Sequence, residues 1–442
     1  MKLARSRVAV IALAALAVSG CGIFKKGAPK TPVLGERVSV LATEQDVVVD
    51  PATADLPMSL PEPVANTEWA QSGGNASKSM GHLALGQSLG EAWVVSIGQG
   101  GSVRGRLAAA PVVADGRIYT IDTQATVRAF DAQTGASVWA TQFGTEKGNN
   151  PSLFGGGVSY DNGRIYTTNG LGYVAAIDAR NGGIVWQVHP GGPLRGSPTV
   201  SGDAVYVISQ DNQIYSLKTS DGTQNWSSAA ALEIAGVFGS ASPAVGQGTV
   251  VAGFSSGELN AYRYENGRNV WQDQLSRTTI RTSVASISDV DADPVIDNGQ
   301  VIALGQGGRM VSLELISGQR QWGLNVAGIS TPWVVSDWAF VVTDDARLIA
   351  VARGSGKVRW IAQLPAFRHP KKKAGPISYS GPVLAGGRLI VVSTQGTLIN
   401  IDPTNGSFQS QTAIKSSMSL SPVVANNTLY ILADDGKLTA FR

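Results

Sequence analysis

One spacing restricts this chain more than any other feature. A glycine is followed four residues later by a tryptophan at Gly135/Trp139, Gly182/Trp186, Gly222/Trp226, Gly267/Trp271, Gly318/Trp322 and Gly356/Trp360. Around each pair the same unit recurs: an apolar run led by proline, a turn with glycine, a β-branched strand, a polar turn, another strand, then the glycine turn and the tryptophan strand. SPTVSGDAVYVISQDNQIYSLKTSDGTQNW (197–226) and SPAVGQGTVVAGFSSGELNAYRYENGRNVW (242–271) show it most plainly. Four strands of about five residues make one small twisted antiparallel sheet, which cannot bury both faces alone. It must stack on its neighbours, and units of roughly 40 to 50 residues arranged radially form a β-propeller.

Proline-led starts at 111, 198, 243, 294, 332, 382 and 422, with a degenerate start near Val158, predict an all-β fold of eight four-stranded blades. The last unit, SPVVANNTLYILADDGKLTAFR, stops at Arg442 after three strands. The missing strand is expected at the other end, in GEAWVVSIG (90–98), so that an N-terminal strand completes the last blade and closes the ring. The seventh unit departs from the pattern, with Ser410 where the tryptophan belongs. The tryptophans could form an aromatic platform for a quinone. At one per unit and fixed offset they read better as packing between blades.

The N-terminus has a different composition. Lys2, Arg5 and Arg7 precede an apolar run, Val8 to Val18, which is shorter than the roughly 20 residues that cross a bilayer. It ends in VSGC, which resembles the lipobox of bacterial lipoproteins. Residues 1–20 are therefore expected to be a signal peptide and Cys21 a lipidated N-terminus. Gly22, rather than aspartate, resembles an outer-membrane address. Cys21 is the only cysteine, so no disulfide forms within the chain. Residues 21–66, with prolines at 29, 32, 51, 57, 61 and 63, read as a tether before a propeller body at 67–442. The chain has 35 Lys+Arg against 32 Asp+Glu; the three cations of the leader account for the excess, so no basic field exists to collect nucleic acid.

The repeats resemble the pyrroloquinoline-quinone-type propeller unit. With the VSGC lipobox, the tether, EWAQSGGNASKSMGH (68–82) and ISDVDADPV, the whole chain resembles the BamB family of outer-membrane lipoproteins. That resemblance implies a non-enzymatic scaffold of the β-barrel assembly machinery, without cofactor, facing the periplasm and binding the periplasmic domains of BamA. Indirect contact with the other Bam subunits and contact with nascent outer-membrane proteins follow from the same likeness. A quinone-dependent dehydrogenase on the same fold, or another periplasmic binding propeller, is the alternative. The enzymes typically carry a calcium site, a catalytic aspartate and often a vicinal disulfide, which needs a second cysteine. His82, His189 and His369 stand far apart with no metal-ligand spacing. GSGK (354–357) lacks the first glycine and the hydroxyl residue of a phosphate loop and reads as a hairpin turn.

SISDVDADPV (286–295) sets Asp289, Asp291 and Asp293 on alternate positions before a strand. D-x-D-x-D opens an EF-hand loop, but the sixth and twelfth positions are Pro294 and Gln300 rather than glycine and glutamate. Proton transfer needs a pocket and a substrate that the loop does not announce. A solvated loop without function is the bland alternative; carboxylates at the mouth of a rigid scaffold that accept hydrogen bonds from a partner are the sharper one. The resemblance implies that Asp289 and Asp291 hold BamA, and aligns Ala235, Val237 and Phe238 with a second contact, where the family's arginine is missing. Asp293 is expected only to solvate the strand entrance. Lys371, Lys372 and Lys373 share that face in a loop that looks inserted, facing solvent, lipid headgroups or an acidic partner.

Overall fold

Proline opens most of the innermost strands, since a residue without an N–H can start a ladder but not continue it. The computed structural model describes residues 47–442 apart from residue 104 and residues 149–154, 233–240 and 276–287. Eight four-stranded sheets are present, each an antiparallel meander from an inner strand A to an outer strand D. The blades run over 112–142, 158–188, 199–229, 244–274, 295–324, 333–363, 379–413 and 423–441, the last completed by Glu91–Ser96. In that blade Lys437–Phe441 lies between Thr428–Leu432 and Glu91–Ser96, with Val94 opposite Thr439. Gly90 and Arg442 exchange backbone hydrogen bonds of 2.7 and 3.0 Å, which seals the ring. Seven of the eight starts, the closing strand and the turn at GSGK stand where the repeat puts them, whereas in blade 7 the strand already begins at Tyr379 and Pro382 sits within it at a break in register between Ser380 and Val383.

The Gly/Trp spacing is a joint between neighbouring blades. Each tryptophan lies beneath the C–D turn of the next blade, whose glycine has positive φ: a Cβ on Gly182 would meet Trp139 at 2.8 Å, one on Gly222 would meet Trp186 at 2.8 Å, and one on Gly267 would meet Trp226 at 2.5 Å. The indole N–H donates to a carbonyl three residues before that glycine, as in Trp139 to Ala179 (3.0 Å), Trp271 to Leu315 (2.8 Å) and Trp360 to Pro403 (3.0 Å). Burying such a ring contributes roughly 4–6 kcal/mol of gross transfer free energy. The joint also explains Ser410. Blade 8 has no C–D turn, because its strand D, Glu91–Ser96, comes before blade 1 in the sequence and is not joined to its strand C, Lys437–Phe441, so a tryptophan on blade 7 would have no such turn to dock under. Trp93 of the closing strand still packs on Gly135 of blade 1, while Arg442 donates to the equivalent carbonyl, Ala132, at 2.7 Å.

The inner strands face a channel that the chain fills with its own residues. Between Asn66 and Leu83 the polypeptide makes one circuit inside the ring and touches the blades in order. Asn66 bonds Val424 and Asn426 of blade 8, Trp69 exchanges backbone bonds with Val113 of blade 1, and Ala70 accepts from Tyr160 of blade 2. Gln71 brackets Val200 of blade 3, Ala76 accepts from Val245 of blade 4 and Ser77 from Ile296 of blade 5. Gly81 accepts from the Trp333 indole of blade 6, and Leu83 pairs beside Leu384 of blade 7. The free edges of the inner strands thereby gain partners. Residues 47–66, inside the segment read as a tether, also pack on the body: Val49 bridges Val358 of blade 6, and Arg359 donates to Thr53 in the short helix Pro51–Ala54.

Candidate functional site: the acidic rim of the channel

A meander of four strands returns each D–A connection to the face that carries the B–C turns, and the acidic stretch is the D–A connection from blade 4 to blade 5. Two backbone bonds fix its described part: Val290 N–H donates to Phe254 of the blade 4 B–C turn (3.2 Å), and the Asp289 carbonyl accepts from Gln306 of the blade 5 B–C turn (2.9 Å). Val290 and Ala292 alternate with the carboxylates and are buried. The aspartates are buried as well, which differs from a solvated loop and corrects the expectation for Asp293.

Arg195, on the connection from blade 2 to blade 3, reaches across the face. Its Nη2 donates to Asp289 Oδ1 at 2.7 Å and to Asp291 Oδ1 at 3.0 Å, with side-chain exposures of 3% for Arg195, 0% for Asp289 and 8% for Asp291. Burial, reinforced by the charge of Asp289 and opposed by Arg195, pushes the Asp291 carboxyl up to about 7. Asp293 turns toward the channel instead. It accepts from Ser72 Oγ at 2.6 Å and from the Ser242 backbone N–H at 2.7 Å. Lys78 of the inner circuit lies near it and donates to Thr199 Oγ1 at 3.0 Å. Burial pushes Lys78 down to about 8 and Asp293 up, each opposed by the other's charge.

These groups border a cavity of about 280 Å³ at the mouth, lined by Asp291 and Asp293, by Ser72 and Lys78 of the inner circuit, and by Arg106 and Trp333. Spacing could not reveal Arg195 or Lys78, which meet the loop only through the ring. The available signal was topological, since Arg195 sits in the Gly-rich connection PGGPLRGS on the same face. Ala235, Val237, Phe238 and Cys21 lie outside the described residues. Lys371, Lys372 and Lys373 occupy a separate two-stranded hairpin between blades 6 and 7.

The histidines do not converge. His82 Nδ1 bonds the Pro61 carbonyl at 2.7 Å while Nε2 accepts from Gly387, and the His189 ring meets Tyr173 edge-on. Among the described residues no three His, Cys, Asp or Glu gather as a metal site. With the carboxylates engaged by Arg195, Ser72, Ser242 and Lys78, the mouth does not fit a metal-bound quinone. Its chemistry is ionic: Asp289 and Asp291 share the Arg195 guanidinium, and Asp293, Lys78 and Arg106 add charges of both signs around the cavity.

Residues 123–362 and 367–442 match the family described as outer membrane protein assembly factor BamB. The chain belongs to the BamB family. The BamB of Shigella dysenteriae is 29% identical over 390 residues, covering 78% of this chain and 86% of its own. Among solved structures, BamB from Moraxella catarrhalis superposes with a TM-score of 0.68 at 20% identity, over 80% of this chain and all of that one. A europium-containing methanol dehydrogenase reaches a TM-score of 0.66 at 14% identity, over 83% of this chain and 89% of that one. The fold is therefore shared with enzymes, and family membership rather than fold identifies an outer-membrane protein assembly factor. No helix among the described residues is long and apolar enough to cross a membrane.

Proposed function

We propose that the chain is a non-enzymatic scaffold, lipid-anchored through Cys21 on the periplasmic face of the outer membrane, that holds the periplasmic domains of BamA on the acidic rim. The supporting observation is the braced acidic loop at the mouth, where two carboxylates share one guanidinium. Arg195 fixes the course of the blade 4–5 connection without cancelling both carboxylates, and Asp291 keeps its accessible edge toward the cavity. A partner's Arg or Lys placed there would bond the ionised form of Asp291, and charge-assisted bonds of this kind are the strong ones. Asp289, wholly buried, acts by positioning the loop, and Asp291 meets the partner. Ala235, Val237 and Phe238 would add the apolar side of the contact.

Co-purification of BamA from solubilised outer membranes tests this reading. Asp291→Asn keeps the shape and removes the charge, and should weaken the complex by about 2–5 kcal/mol if the carboxylate is buried at the contact. Unchanged capture by the folded variant at physiological salt would refute it. A mass of the mature N-terminus without diacylglycerol on Cys21 would refute the anchor separately.

A further inference from the structure

The connection from blade 6 to blade 7 differs from the other described connections in carrying a sheet of its own, the hairpin Phe367–His369 with Ala374–Pro376, Phe367 opposite Pro376 and His369 opposite Ala374. A single 3-10 turn, Pro370–Lys372, forms the tip, and Lys373 closes it in the left-handed region with φ 47°. At three residues per turn successive side chains diverge, so Lys371, Lys372 and Lys373 fan outward. All three are exposed, and no salt bridge among the described residues involves them. Arg368 pins the base by donating to the Thr394 carbonyl at 2.8 Å.

We infer that this hairpin is a docking arm for an anionic bilayer surface. Protein interfaces centre on aromatic, apolar or arginine anchors and are poor in lysine. The tip offers three ammonium groups, and no large apolar side chain of residues 366–378 is among the exposed ones. Point charges on flexible stems suit a layer of phosphate headgroups, whose spacing need not match any fixed geometry. The arm projects from the face that carries the acidic rim, so headgroups and an assembled partner would be met from one side. Each lysine near an anionic surface contributes roughly a factor of five in affinity, and the three together about a hundredfold.

The full chain in vesicles tests this without reference to partner binding. A fluorophore is placed at Ala374→Cys, beside the tip, and in a second preparation at Ser355→Cys, on the opposite face of blade 6. Quenching by lipids spin-labelled at the headgroup is compared in phosphatidylglycerol-containing and purely phosphatidylcholine vesicles. Stronger quenching at position 374 than at 355 is expected, only with the anionic lipid, falling in salt and lost when Lys371, Lys372 and Lys373 are all replaced by glutamine. Equal quenching at both positions, indifference to lipid charge or survival of the triple replacement would overturn the inference. So would shielding of position 374 that requires an added acidic protein, which would make the arm a protein contact.

Discussion

Replacing Arg195 by methionine removes a buried cation while keeping most of its length. In the native protein one nitrogen lies 2.7 Å from Asp289 and 3.0 Å from Asp291, in a setting where all three side chains are at most 8% exposed. Removing one partner of such a group leaves two largely buried carboxylates without their cation, which typically costs about 3–5 kcal/mol. The cost should depend on pH with a definite sign. Asp291 already holds its proton up to about 7, and losing Arg195 removes the one favourable charge opposing that rise. As pH falls from 8 to 5.5 Asp291 of the variant protonates and the penalty shrinks. Urea unfolding followed by tryptophan fluorescence at several pH values reports both quantities. A loss below about 1 kcal/mol at pH 8, or one that does not change with pH, would refute the reasoning. Replacing Arg195, Asp289 and Asp291 together by apolar residues of similar volume should recover most of the stability.

Gly267→Ala should cost roughly 2–4 kcal/mol, from its left-handed backbone and from a Cβ 2.5 Å from Trp226, whereas Gly299→Ala, with positive φ but nothing within 4 Å, should cost only the backbone part, roughly 1–2 kcal/mol; equal losses in thermal unfolding would contradict the joint. Removing residues 437–442 takes out the strand that pairs with Glu91–Ser96, so amide protection in both the closing strand and Thr428–Leu432 should collapse in hydrogen exchange, while protection retained at Glu91–Ser96 would contradict closure there. In the native protein the raised Asp291 pKa contributes stability that is full below about pH 4 and is lost as pH rises through about 7, so Asp291→Asn should flatten the stability profile across that window. Because a partner's cation prefers the ionised carboxylate, BamA capture should weaken from pH 8 to pH 6, and a pH-independent affinity would count against Asp291 as the contact.

The ring was readable because its joints repeat. A tryptophan four residues after a glycine needs the same space beneath every next blade, so one local rule is printed six times and its exception at Ser410 falls where the next blade lacks a turn. The inner circuit was not readable. Residues 66–83 have no periodicity, since they serve a different blade every few residues and take their order from the strands around them. The alternation of the aspartates is visible in the sequence, but their burial is not. Arg195 stands 94 residues before Asp289 and meets it only after the ring closes. Lys78 reads as one more polar residue in a Gly- and Ser-rich stretch, yet it enters the channel beside Asp293.

The central claim is that the rim carrying the acidic loop is the face that grips the assembly partner, and photo-crosslinking in cells addresses it most directly. A photoreactive residue at Ser288 or Gln306, on the rim, should give an adduct with BamA, and one at Ser355 or Asn298, on the turns of the opposite face, should give none. Adducts from Ser355 or Asn298 with silence at Ser288 and Gln306 would place the partner on the wrong side of the ring and contradict the claim.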